Sequence, residues 1–116
     1  CLDVFQPDAV CTLGLSGLRS LAADVVAAGH VFSPHTWGNG IGLLANAHLT
    51  AGTVGTPFLE FPFDPPEWTA ARRDYVLREP VSVEGGWLHL SDRPGLGCQL
   101  DTAALARTAA AAAVFS

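Results

Sequence analysis

The sequence predicts an α/β fold in which short parallel strands alternate with helices. Three strand candidates, residues 2–6, 30–33 and 58–61, are separated by two helix candidates, residues 17–28 and 41–51. This alternation is typical of parallel strands joined by right-handed helical crossovers. The strand candidates are short and mostly apolar, as expected for a sheet covered on both faces.

The two helix candidates each carry apolar residues at helical spacing. In the first, one core-facing stripe contains Leu18, Leu21, Ala22, Val25 and Val26. Ser16 is predicted to cap its start, and Gly29 is predicted to end it in the left-handed conformation. In the second, one face contains Ile41, Leu44, Ala45, His48 and Leu49, and Gly52 ends the helix.

The pattern changes after residue 63. A rigid Pro-Pro loop at residues 64–67 precedes a short predicted helix at residues 68–77. Two strand candidates flanking Glu84-Gly85-Gly86 predict a β-hairpin over residues 80–90. Asp101 is predicted to cap an Ala-rich helix, residues 102–113, which we expect on the surface because it has little apolar bulk.

Composition narrows the class of protein. The 116 residues are 49% hydrophobic and 15% charged, which predicts a folded domain with a sizeable core. A net charge of −5 with six Lys plus Arg argues against nucleic acid as a partner. No apolar run reaches the ~20 residues of a membrane helix. Cys1, Cys11 and Cys98 form no Cys-x-x-Cys pair, so we expect thiols and a reducing, cytoplasmic location.

Three ionisable residues occupy matching places on the three strand candidates. Asp8 and His35 follow the first and second strands, and Glu60 lies near the end of the third. Functional groups in parallel α/β structures gather at the carboxyl ends of strands, so these side chains are predicted to share one pocket. Singly, each also has an ordinary interpretation, as a turn former, a helix cap or a satisfied core histidine.

The loop at residues 36–40 contains two further candidates. Trp37 and Asn39 are predicted to contact substrate, since the neighbouring glycines let backbone approach a ligand. A plain strand-to-helix turn covered by the indole is the alternative. No metal ligands are predicted, because His30, His35 and His48 would lie at a strand start, a strand end and a mid-helix position, which do not converge.

In this order, the segments resemble the last three βα units of the mandelate racemase/muconate-lactonizing group of the enolase superfamily. The resemblance spans residues 2–106. It rests on the order in which several short segments follow one another, and no single motif is decisive. It is carried by Phe5-Gln6-Pro7-Asp8 with Gly14-Leu15-Ser16-Gly17-Leu18-Arg19, by Ser33-Pro34-His35-Thr36-Trp37, by Phe58-Leu59-Glu60-Phe61, and by Asp92-Arg93-Pro94-Gly95-Leu96-Gly97 with Asp101. Leu15 and Ser16 depart from the group's more usual Gly and Thr.

The resemblance implies a C-terminal fragment of a (β/α) barrel. Residues 1–63 would form the last three βα units, and residues 64–116 a closing segment with a hairpin and a terminal helix. The start of the chain inside an apolar stretch, with no Met, fits the same expectation.

The resemblance also implies roles for the three strand-end residues. His35 would be the general acid or base beside the substrate carboxylate, and Asp8 would accept a hydrogen bond from its other ring nitrogen. Glu60 would share a proton with the developing enediolate oxygen. Burial among Phe58, Phe61 and Phe63 would keep its carboxyl protonated.

The implied activity is dehydration of an acid sugar by the full-length parent. Racemisation, epimerisation or cycloisomerisation is the alternative within the group. The parent would use Mg²⁺, with ligands from strands outside this chain, would bind a small carboxylate, and would form a homo-oligomer. The isolated chain is expected to be inactive. A second hypothesis is a non-catalytic α/β module that oligomerises through its open sheet edge.

Overall fold

The computed structural model describes residues 2–56 and 58–109 and contains the predicted parallel β–α–β unit. Strand β1 (Val4–Phe5) pairs in parallel with strand β2 (Val31–Phe32), with Val4 opposite Val31 and Phe5 opposite Phe32. Helix α1 (Gly14–Ala27) joins the two strands, and helix α2 (Gly40–Ala51) follows β2. This order confirms the α/β class and the parallel strand direction.

The third predicted strand, residues 58–61, is wrong. The structure assigns no strand there, and its contact with the end of β2 uses side chains. Ser33 Oγ donates to the Phe58 carbonyl at 3.1 Å, and Glu60 Oε2 accepts from the Thr36 N–H at 2.6 Å. The segment therefore contacts the end of β2 through side-chain hydrogen bonds and not through a strand ladder.

Helix α1 packs one stripe against the first core. Leu18, Ala22 and Val25 are buried together with Phe32 of β2 and Leu49 of α2. The predicted cap at Ser16 is wrong, since the helix begins at Gly14 and Ser16 lies inside it. The chain already turns at Asp8, whose carbonyl accepts from the N–H groups of Cys11 and Thr12, so the helix forms earlier. Gly29 has φ +81°, which confirms the predicted left-handed end.

The closing segment contains the predicted elements in shorter form. Helix α3 (Ala70–Arg73) replaces the longer helix expected at residues 68–77. Strands β3 (Val83–Glu84) and β4 (Trp87–Leu88) form the antiparallel hairpin, turned by two glycines of positive φ.

Helix α4 (Thr102–Thr108) starts as predicted and ends early. Asp101 caps it by accepting from the Ala104 N–H at 2.9 Å, and Ala109 follows its last residue. The rest of the predicted helix, residues 110–113, lies outside the described residues. The described helices include none that is both long and apolar enough to cross a membrane.

A buried ion pair joins the closing segment to the rest of the fold. Arg73 and Asp74 are 0% and 3% exposed, and the guanidinium donates to both carboxylate oxygens at 2.8 and 2.6 Å. The same guanidinium donates to the carbonyls of Pro62 and Val81. A Cβ placed on Gly40 at the start of α2 would lie 2.5 Å from the Asp74 Oδ1. The pair therefore connects three segments at one point.

We expect Arg73→Met to destabilise the protein by about 3–5 kcal/mol, because it leaves the buried Asp74 carboxylate without its cation. Urea unfolding of the intact protein measures the change. Arg72→Met is the matched control, since Arg72 is exposed and its contact with the Trp68 ring is worth only about 0.5–1 kcal/mol. Equal losses in the two variants would contradict this account of the pair.

Candidate functional site

The ends of β1 and β2 bring His35 and Asp8 together, as predicted. His35 Nδ1 lies 3.3 Å from Asp8 Oδ2. The Asp8 side chain is 7% exposed and the His35 side chain 48% exposed. Because an ionised carboxylate only accepts, Nδ1 carries the hydrogen in this contact when the ring is neutral. The other ring nitrogen, Nε2, then has a lone pair available to take a proton from a bound molecule.

The second oxygen of Asp8 is fixed by the protein itself. Oδ1 accepts from the Val10 N–H at 2.9 Å and from Asn46 Nδ2 at 3.1 Å. Both oxygens of the carboxylate are therefore occupied by donors, and the group cannot rotate freely. This arrangement fixes the carboxylate that orients the imidazole.

Asn46 is a site residue that the sequence analysis missed. Its side chain is fully buried on α2, where Oδ1 accepts from the Ala9 N–H at 3.0 Å. Its Nδ2 donates to Asp8 Oδ1 and also to the His35 carbonyl, at 3.1 and 3.0 Å. The available signal was an amide within the otherwise apolar run from Leu43 to Ala47, since a buried amide requires partners.

Glu60 is the third predicted residue, and its carboxyl reaches the same loop. Oε2 accepts from the N–H of Thr36, the residue after His35, at 2.6 Å. The expected apolar enclosure of Glu60 is wrong in part, because Phe58 and Phe63 are 74% and 57% exposed. The chain turns these two rings away from the first core, and only Phe61 is covered, by the Arg73 guanidinium at 4.2 Å.

Asn39 has a structural task in this loop. Its Oδ1 caps α2 by accepting from the N–H groups of Ile41 and Gly42, at 3.0 and 3.2 Å. Trp37 is 49% exposed and, with Asp8 and Thr36, lines a cleft of about 240 Å³. The substrate contacts predicted for Trp37 and Asn39 stay predictions.

The remaining histidines and the thiols lie apart from this cleft. His30 packs its ring 5.6 Å from that of Phe5, and His89 is exposed in the hairpin. Cys11 and Cys98 are free thiols, and Cys1 lies outside the described residues. Across residues 2–56 and 58–109, no three His, Cys, Asp or Glu side chains are grouped to hold a metal ion. These residues do not fit a Mg²⁺ site.

Comparison with known families identifies the family of this chain. Residues 1–104 match the family model described as enolase C-terminal domain-like, with the short name MR_MLE_C. The chain therefore belongs to this family, the C-terminal domain of the mandelate racemase/muconate-lactonizing group of the enolase superfamily.

Among the curated relatives are two named enzymes. D-galactarolactone cycloisomerase of Agrobacterium fabrum is 31% identical over 90% of this chain and 29% of its own length. Arabinonate dehydratase of Saccharolobus solfataricus is 29% identical over 83% of this chain and 24% of its own length. The chain thus spans less than a third of the length of these relatives.

Solved structures show the same fold. A mandelate racemase/muconate lactonizing protein from Paracoccus denitrificans is 31% identical, with a TM-score of 0.74 over 91% of this chain and 28% of its own. An enolase from alpha proteobacterium bal199, with bound Mg, is 28% identical, with a TM-score of 0.63 over 81% of this chain and 22% of its own.

We expect Asn46→Asp to destabilise the protein at neutral pH by about 1–3 kcal/mol, because it removes the buried donor and sets a second carboxylate against Asp8. The deficit, measured by urea unfolding, should shrink in acid, where a protonated carboxyl can again donate. Asn39→Asp is the matched control, because aspartate caps a helix as well as asparagine does. Wild-type stability of Asn46→Asp at neutral pH would contradict this assignment.

Proposed function

We propose that this chain supplies the His–Asp proton-transfer part of an enolase-superfamily active site that dehydrates acid sugars. The observation that carries the proposal is the contact between buried Asp8 and half-exposed His35 at the ends of adjacent parallel strands. A relative named arabinonate dehydratase supports the reaction class. The full-length protein would comprise this barrel end and further segments, because the relatives are more than three times as long.

The proposed step is proton delivery by His35. In dehydration, a base removes the proton from the carbon next to the carboxylate, and its electron pair moves into the carboxylate to give an enediolate. The electron pair then returns, the bond from the neighbouring carbon to its hydroxyl breaks, and His35 Nε2 gives that oxygen a proton so that it leaves as water. Asp8 stabilises the imidazolium that makes this donation.

Glu60 has a separate proposed role. Its Oε2 is held by the Thr36 N–H, which fixes the carboxyl beside the His35 loop. A carboxyl at this place would share a proton with the enediolate oxygen, where negative charge develops. Phe58 and Phe63 are both exposed, so these two rings do not enclose the carboxyl.

Mg²⁺ is part of the proposal for the full-length protein. The proton next to a carboxylate is very weakly acidic, and a divalent cation supplies the stabilisation of negative charge that its removal needs. The Mg-bound solved relative supports this choice. The described residues form no site for the ion, so its ligands would come from other parts of the parent protein, which we propose is a homo-oligomer acting on a small carboxylate.

In the full-length protein, His35→Asn should lower kcat on the acid-sugar substrate by about 10²–10⁴-fold, because the asparagine amide can still donate to Asp8 but cannot transfer a proton. Steady-state kinetics measure the loss, and Mg²⁺ binding by calorimetry should be nearly unchanged. His89→Asn, in the exposed hairpin, is the matched control and should keep full activity. Turnover by His35→Asn at the wild-type rate would refute the role.

A cycloisomerase is the second candidate, favoured by the relative named D-galactarolactone cycloisomerase. Mass spectrometry of the product separates the two, since dehydration lowers the product mass by one water and cycloisomerisation conserves it. We expect the loss of water on a panel of aldonic and aldaric acids and their lactones. A product of unchanged mass in H₂O that gains one deuterium in D₂O would instead establish the isomerase. Neither water loss nor deuterium gain on any substrate would support the non-catalytic module.

A further inference from the structure

Side chains from two separate segments form a layered unit beside the site. Trp37 follows β2, whereas Trp68 and Arg72 belong to the closing segment. The two indole rings are stacked, with centroids 6.1 Å apart and planes 20° apart. The Arg72 guanidinium carbon lies 5.4 Å from the centre of the Trp68 ring. Offset aromatic stacking and a cation over an indole both add attraction beyond simple burial.

The backbone holds Trp68 in place from both sides. Its N–H and carbonyl each form a 2.8 Å hydrogen bond with Asp64. Thr69 then caps α3, so Arg72 lies one turn later and donates to the Glu67 carbonyl at 3.1 Å. The indole N–H of Trp68 is buried without a hydrogen-bond partner in the part of the chain that the structure describes. Packing and backbone contacts therefore fix this ring, rather than a hydrogen bond of its own.

Trp37, in contrast, is half exposed and lines the 240 Å³ cleft. Asp8 lines the same cleft and contacts the His35 ring at 3.3 Å, so the cleft lies next to the carboxylate that orients the imidazole. Its volume lies below the ~300–1,000 Å³ of typical drug-sized pockets, which suits a small ligand. An exposed aromatic face beside a proton-transfer group is a surface for the apolar side of such a ligand.

We propose that Trp37 is the wall against which the carbon chain of a polyhydroxylated acid lies, and that Trp68 with Arg72 is the positioning element that sets its angle. The inference rests on the proposed function and names a specificity determinant for it. The C–H groups between the hydroxyls of a sugar acid are apolar, and an aromatic face buries them without requiring hydrogen bonds. A substrate with a longer carbon chain covers more of the Trp37 indole. The Trp37, Trp68 and Arg72 side chains therefore select long sugar acids over short hydroxy acids.

The test compares long and short acids on the full-length protein. Exchange of the proton next to the carboxylate in D₂O is followed for galactarate or arabinonate, with tartrate or glycerate as the short partner. Trp68→Leu should lower kcat/KM for the long acid by about three- to tenfold through KM, and leave kcat and the short acid nearly unchanged. Trp68→Phe should recover most of the loss, because it keeps a ring.

Trp87→Leu is the matched control, since Trp87 lies in the hairpin and is 73% exposed. It should change neither acid. Near-ultraviolet circular dichroism reports the indole pair without any turnover, and its coupling signal should disappear in Trp37→Leu and Trp68→Leu but persist in Trp87→Leu. A persistent signal in Trp68→Leu would overturn the stack.

The outcomes separate the inference from the function on which it rests. If the wild-type protein exchanges no acid, the proposed function fails and the inference fails with it. If it exchanges both acids and Trp68→Leu affects them equally, or affects neither, only the inference fails. If Trp68→Leu does not fold, the same comparison is made with Trp68→Phe and Arg72→Met, where a smaller loss confined to the long acid supports the inference and its absence overturns it.

Discussion

One buried amide decides how the two strand ends meet. Asn46 sits on α2 and bonds at once to the Asp8 side chain, the Ala9 N–H and the His35 carbonyl, all within 3.1 Å. Helix α2 packs on α1 through Leu49, so the same helix that completes the core also fixes the polar loops. The position of helix α2 therefore determines both the packing of Leu49 in the core and the placement of Asp8 and His35 at the site.

Asp8 and His35 differ in burial, so one side of the pair faces the protein interior and the other faces solvent. Asp8 is nearly buried, and both of its carboxylate oxygens have hydrogen-bond partners within the protein. His35 receives this carboxylate on one ring nitrogen and presents the rest of its ring outward. In the proposed mechanism, the proton moves on the outer side of the imidazole, while the contact with Asp8 on the inner side fixes the tautomer and orientation of the ring.

Periodicity predicted the helices and the parallel strands because their signals are local. The spacing of Leu18, Ala22 and Val25 needs no knowledge of the partner that they pack against. The strand-end rule likewise predicted the contact between Asp8 and His35, whereas Glu60 reaches the same loop from a segment that is not a strand. The early start of α1 was missed because backbone turns at Asp8, rather than a capping side chain, begin it.

Long-range polar contacts carried no comparable signal. Asn46 lies 38 residues from Asp8 in sequence, and the apolar run around it indicates burial but not which groups its amide binds. Arg73 and Asp74 are adjacent in a charged stretch that resembles a solvated surface, yet both are buried. The third predicted strand was a related error, because apolar composition does not show whether a segment pairs through its backbone or contacts β2 through side chains.

The close approach of Gly40 to Asp74 has a consequence for building chimeras among relatives. No side chain fits at the first residue of α2 while the carboxylate keeps its place, and the Leu77 methyl crowds the same point at 2.6 Å. A donor sequence with a larger residue there would have to bring its own version of the residue 73–77 turn. The start of α2 and the residue 73–77 turn must therefore be exchanged together. A crossover between them would combine a larger side chain at position 40 with a turn that leaves no space for it.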